Sequence, residues 1–407
     1  MSAMTFVSIF AISQNNTNSP YTRYGYGEIT ESLSGEQRAM GGTGLALRNS
    51  NVINSLNPAS YSKVDSTTFL FDVGVSGLFS RFSDPIGNRT LFNANIEYLT
   101  VKFPIMKNVG FSAGLIPYSF SGYDYYSTSN LPLSQYPDTV TTTQSFSGTG
   151  GINQVYGGLS VELLKHISLG VNTYYMFGSS INSRQLDFSD ALISSAAQKD
   201  SITVSSLRFK YGIQLFNTFA KKHEFNLGAT YEFKKNLNAT YSEATGSVLT
   251  DLTDQQDVFT EFELPESYGV GLAYTYDKKL TLTLDYSMQK WADAKFVGVL
   301  DTLNNSSKIA FGAEYQPDKK GSHYYEKVLY RAGLNMSDPY YKINGLTQPK
   351  NFGITFGFGL PLKNSNTILN TAFEYGKIGT AGSLREDYFK ITINASFNET
   401  WFFKRKL

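Results

Sequence analysis

The side chains that could do chemistry are few and scattered. His166, His223 and His323 are the only histidines, and there is no cysteine to join them in a metal-ligand set. Each histidine lies in a short polar stretch, far along the chain from the other two. "DLTDQQD" gathers Asp251, Asp254 and Asp257, oxygen donors of the kind a hard cation takes. The glycine turn and closing glutamate of a calcium loop are missing, so a solvated acidic loop is the simpler reading. "GYGEITESLSGE", from Gly25 to Glu36, has the glycines of a phosphate loop but no lysine and no strand-to-helix setting. No nucleophile stands at a meaningful spacing from a base. These residues predict no enzyme, no cofactor and no bound metal. A net charge of +1 without a concentrated basic stripe gives no sign of a nucleic-acid partner.

The elements around these residues tell more. Of 407 residues, 15% are aromatic, 17% are charged and 35 are glycine. That mixture suits amphipathic strands joined by polar turns, with Tyr and Phe where an apolar phase meets water. In "LTLTLDYSM", Leu280, Leu282, Leu284, Tyr286 and Met288 are apolar, while Thr281, Thr283, Asp285 and Ser287 are polar. This period of two gives one greasy and one wet face. Phe69, Phe71, Val73 and Val75 begin the same pattern, and Phe389, Ile391, Ile393, Ala395 and Phe397 end it. About fourteen such segments follow one another, the first near residue 67 and the last ending near 399.

An even number closes an antiparallel barrel with both chain ends on one side. Tight links at "KNV", "KHI", "KKH", "DKK" and "KNS" alternate with longer ones, including Tyr118 to Gly151, Arg184 to Ile202 and Asn236 to Leu264. Short turns on one side and long loops on the other mark an outer-membrane barrel. By parity the lumen receives Asp72, Glu97, Arg208, Lys210, Glu232, Asp285, Glu314, Arg331, Glu374 and Lys390. Both signs are present, and two readings stand: a solute path, or a structural network of ion pairs.

The amino terminus, "MSAMTFVSIFAISQ", has an apolar run as long as the centre of a signal peptide and too short to span a bilayer. It lacks the preceding basic cluster, and an ordinary first strand is the competing reading. Between it and the barrel lie some fifty residues of polar, aromatic-studded chain. At the other end Trp401, Phe402 and Phe403 precede "KRKL", an aromatic closure followed by charge.

"NSLNPAS", with Asn57, Pro58 and Ala59 ahead of the first strand, resembles the hatch motif of the FadL/TodX family of outer-membrane transport barrels for long-chain fatty acids and other hydrophobic compounds. "LPESYGVGLAY…LTLTLDYSMQKW" adds Leu264, Pro265 and Glu266 at the start of a strand and Trp291 after the hairpin. "HISLGVNTYYMFGSSI" and "YRAGLNMSDPYY" are similar to that family's strands, in the right order.

The resemblance implies an all-β, 14-stranded antiparallel transmembrane β-barrel, residues 67–399, with an N-terminal hatch, 14–66, in the lumen. Residues 1–13 are then a signal peptide or its remnant, and 400–407 an aromatic and basic tail. A polar lumen can satisfy irregular backbone, as lipid cannot; a flexible tail is the rival reading. The resemblance further implies a kink in the third strand that opens the wall sideways. Pro117, Tyr118 and Gly122 stand where it would fall, since proline lacks a donor and glycine packs poorly. An ordinary strand end explains the same residues. The function implied is passive uptake of hydrophobic compounds across the outer membrane of a Gram-negative bacterium, with outer-membrane lipid and a hydrophobic ligand as partners. The alternative is a structural or accessory barrel subunit of an outer-membrane secretion or protein-assembly complex.

Overall fold

A computed structural model describes residues 16–400 except 32, 86, 132–139, 191, 249–251, 253–255, 364–366 and 380–383. The expected signal peptide, Asp251, Asp254 and the aromatic closure at Trp401 lie outside the described residues.

Fourteen long strands form the wall: β1 (Thr68–Ser83), β2 (Asn88–Met106), β3 (Val109–Leu131), β4 (Val140–Leu163), β5 (Ile167–Phe188), β6 (Ala196–Phe219) and β7 (His223–Glu232), then β8 (Ser267–Tyr276), β9 (Leu280–Gln289), β10 (Ser306–Tyr315), β11 (Leu329–Ser337), β12 (Asn351–Pro361), β13 (Ile368–Gly379) and β14 (Arg385–Thr400). Each pairs antiparallel with its neighbour in sequence, and β1 pairs with both β2 and β14, so the sheet closes.

Closure lets every wall strand share its backbone donors and acceptors sideways, the condition for crossing lipid. Alternation then sorts the side chains. On β8 to β10, Val270, Leu272, Leu284, Tyr286, Ile309 and Phe311 face outward and are exposed, whereas Ala273, Thr283, Asp285 and Ala310 face inward and are buried. An apolar outside with a polar inside is the pattern of a barrel set in lipid. No helix among the described residues is long and apolar enough to cross a membrane.

Three of the tight links are built alike. Leu164 and Lys165, Ala220 and Lys221, and Asp277 and Lys278 all take positive φ, between 47° and 62°. Two successive left-handed residues make the type I′ turn, whose twist matches that of the flanking strands. The links expected to be long are shorter than the pattern suggests. β3 runs on to Leu131 and β4 begins at Val140, while β5 reaches Phe188 and β6 begins at Ala196. Ala239–Gly246 extends the wall further by pairing with the outer part of β6. These extensions are rich in Ser, Thr and Tyr, because a strand above the hydrocarbon layer needs no greasy face.

Candidate functional site

Most of the residues from Thr17 to Ser62 are buried or half-buried. Their partners come from strands around the whole ring, so this segment lies within it. A short helix, α1 (Gly35–Ala39), starts with a capping box in which Ser34 and Gln37 satisfy each other's backbone amides. Every residue of α1 is buried. Arg38 on this helix pairs with Glu97 of β2, whose other oxygen takes Lys390 of β14 at 2.7 Å. Glu36 meets Arg331 of β11 at 3.2 Å, and Arg331 also holds Glu314 of β10 at 2.6 Å.

Asp285 of β9 accepts the backbone N–H groups of Gly44 and Leu45 at 2.6 and 2.8 Å. Lys102 of β2 donates to the carbonyls of Val52, Asn49 and Lys63 at 2.5, 3.2 and 3.3 Å. Arg48 reaches Glu162 of β4 at 2.5 Å. A buried charge is costly unless it is paired or hydrogen-bonded: Arg38, Arg48 and Arg331 meet carboxylates, whereas Asp285 and Lys102 are held by backbone groups alone. Burial pushes the Glu36 carboxyl up to about 7, with Glu314 adding to the shift and Arg331 opposing it. Arg331 is already occupied by Glu314, so Glu36 receives only part of its charge.

Asn57, Pro58 and Ala59 are fully buried against β5 and β6. The Asn57 side chain accepts from Ala59 N–H at 3.1 Å, capping the 3-10 turn Pro58–Ser62, and donates to the carbonyls of Leu45 at 2.7 Å and Ile213 at 3.2 Å. Ser168 Oγ donates to the Ala59 carbonyl at 2.7 Å. Two wall glycines make room. A methyl on Gly212 would stand 2.1 Å from Asn57 Oδ1, and one on Gly170 would stand 2.4 Å from the Pro58 carbonyl carbon.

Leu264, Pro265, Glu266 and Trp291 gather at the long-loop end. Trp291 is fully buried, donates its indole N–H to Gln289 at 2.8 Å and packs against Tyr26 and Tyr340 with ring centroids 5.6 and 5.0 Å apart. Leu264 joins the same cluster with Tyr21, Phe262 and Tyr341. Glu266 binds Lys290 at 2.9 Å and accepts from Tyr231 at 2.6 Å, and these hydrogen bonds hold its carboxyl below the usual range. Pro265 links the two. Sequence reasoning missed how this cluster uses the amino-terminal tyrosines; "YTRYGY" was the signal, three aromatics crowded into a polar coil.

Pro117, Tyr118 and Gly122 lie inside β3, which continues past them. The register of β3 against β4 shifts between Pro117 and Ser119. On the other edge, β2 and β3 pair only from Leu99 and Leu115 down to the turn. Above that point the described residues form no ladder between these two strands, and the amino-terminal segment occupies the interval. Glu28 and Ile29 pair with Phe120 and Ser119, and Thr30 N–H donates to the Tyr118 carbonyl at 2.9 Å. Thr22 Oγ1 donates to the Gly122 carbonyl at 3.1 Å, while Asn18 donates to Asn93 at 2.9 Å.

The charged residues assigned to the lumen by parity all have inward-facing, buried or half-buried places. The space left beside them is divided. A cavity of about 290 Å³ on the long-loop side meets Glu28, Glu31, Arg38, Lys308, Glu374 and Lys390. One of about 140 Å³ touches Arg208, Lys210, Glu232 and Asp285. A third, of about 520 Å³ toward the short turns, touches Glu36, Arg48, Lys63, Glu314 and Lys327. His166, His223 and His323 sit on three separate links of the turn side or their edges, with no shared site.

The fold is that of the FadL/TodX barrels. The Ralstonia pickettii toluene transporter TbuX matches with a TM-score of 0.61 at 12% identity, covering 91% of this chain and 98% of its own. A Pseudomonas aeruginosa FadL homologue matches with a TM-score of 0.61 at 14% identity, over 92% and 100%. The P. putida toluene transporter TodX matches with a TM-score of 0.58 at 17% identity, over 91% and 99%. A search of curated proteins finds no match. The model of the BamG family matches residues 1–407.

Proposed function

This chain belongs to the BamG family, and from that premise and its plugged wall we propose that it is an outer-membrane β-barrel whose amino-terminal segment is a standing seal. Its role is then that of a structural subunit in a larger outer-membrane assembly. One observation carries the reading: the segment is tied by buried ion pairs and hydrogen bonds to β2, β4, β6, β9 and β11, on all sides of the ring. The cavities beside it are bordered by charges, a poor setting for an aliphatic chain. Family membership fits the same reading.

The second reading is passive uptake of hydrophobic compounds with lateral release. The unpaired interval between β2 and β3 favours it, together with the fold of hydrocarbon channels. A greasy solute could leave through such an interval if residues 16–30 moved away from it.

Native mass spectrometry of the protein gently extracted from its own membrane separates the two. A stoichiometric multiprotein particle with no bound hydrophobe supports the subunit. A lone barrel carrying fatty acid or another hydrophobe makes uptake the working model.

A further inference from the structure

Each of the six links on the turn side of the barrel carries an exposed lysine, Lys107, Lys165, Lys221, Lys278, Lys319 and Lys363; five of these links are tight, and the one with Lys319, residues 316–328, is longer. None of these has an ion partner among the described residues. At the long-loop end some basic residues are paired, although Arg81, Arg89 and Lys235 are exposed there without an ion pair among the described residues. There Lys290 pairs with Glu266 at 2.9 Å, Lys342 with Asp301 at 2.7 Å and Arg385 with Asp387 at 2.6 Å. Acids do occur on the turn-side links, at Asp277, Asp318 and Glu326, but two of them are occupied locally. Asp318 accepts the Lys320 N–H and Glu326 accepts the His323 N–H, each at 2.9 Å.

The lysines follow directly on the greasy wall. Met106 precedes Lys107, Leu164 precedes Lys165, Leu362 precedes Lys363, and all three apolar side chains are exposed. Phe219 and Tyr276 stand two residues before Lys221 and Lys278 and are exposed as well. One or two residues of strand advance the chain by about 3–7 Å, which is the depth of a lipid headgroup layer beyond the hydrocarbon edge. A protein partner would meet one side of such a rim. Cations spread around its whole circumference suit an anionic partner that surrounds it.

We propose that the six-lysine rim binds the phosphate headgroups of anionic phospholipids in the leaflet facing the periplasm, fixing the barrel's depth and drawing an annulus of these lipids. This rests on the membrane placement and not on whether the barrel seals or conducts.

The test uses the full chain, purified in detergent and supplied with equal phosphatidylglycerol and phosphatidylcholine of matched acyl chains. Native mass spectrometry then counts the retained lipids. The wild type should retain the anionic lipid in preference, by roughly fivefold for a lysine engaged near an anionic surface, and lose the preference in high salt. A variant with all six lysines changed to glutamine should show none. Lys165→Gln and Lys278→Gln alone should each lower it in part, which keeps the test valid if the sixfold variant fails to fold. Lys290→Gln with Lys342→Gln, at the other end, should leave it unchanged. No preference in the wild type, or an undiminished preference in the folded turn variants, overturns the proposal. So does a lipid-indifferent rim that instead holds an acidic periplasmic protein.

Discussion

Changing Glu97 to glutamine tests the proposed seal where the amino-terminal segment meets the wall at a buried ion pair. The carboxylate is almost wholly buried, takes Arg38 from the segment and Lys390 from the wall, and accepts Ser76 Oγ as well. Glutamine keeps the shape and removes the charge, leaving Arg38 buried with no carboxylate in contact. Removing one partner of a buried ion pair costs about 3–5 kcal/mol. Arg38 returns to water when the segment leaves, so the cost falls on the docked form alone. At 1.4 kcal/mol per factor of ten, the released form should gain roughly 100- to 4000-fold in population. Single-channel recording in planar bilayers reads this directly. The wild type should be closed almost throughout, and the folded Glu97→Gln barrel should show frequent openings of barrel-sized conductance. A variant that inserts normally and stays as silent as the wild type would refute the assignment of the seal to this network.

Thr43 and Thr283 hydroxyls lie 2.7 Å apart, as do those of Ser62 and Ser168, which brings their Cβ atoms close to the roughly 3.5–4.5 Å of a disulfide. With no native cysteine to interfere, cysteine pairs at these positions should lock the segment under oxidation and leave cellular function intact if the seal is permanent; loss of function restored by reductant would favour a moving plug. Gly212→Ala and Gly170→Ala drive a methyl into Asn57 and Pro58, and each should lower stability by about 1–3 kcal/mol, read as a fall in melting temperature and faster tryptic cleavage of the amino-terminal segment. Glu36 holds its proton up to about 7 when docked, against 4.5 as the ordinary value, so docking is fully supported below the lower value and weakens as pH rises through the upper one. Open probability should therefore climb between about pH 5 and pH 7.5, and Glu36→Gln should flatten that climb.

Parity along the strands was enough to assign the outer and inner faces, because lipid on one side and polar chain on the other impose a strict period of two. Leu284 and Asp285 could hardly be exchanged without burying a charge in hydrocarbon. The same logic put Glu97, Arg331 and Lys390 inside. It could not read the outer halves of β3 to β6, where Ser and Thr serve either face in water and the period fades.

Which lumen charges pair was a matter for the tertiary structure alone. Arg38 and Glu97 are far apart in sequence and meet only because the barrel closes and the segment turns back into it. The interval between β2 and β3 is equally invisible in the chain. Pro117 and Gly122 permit a bulge or an end alike, and only pairing across strands decides between them. Local sequence dictates the direction of each side chain, whereas partners across a closed ring are chosen by geometry that no single strand contains.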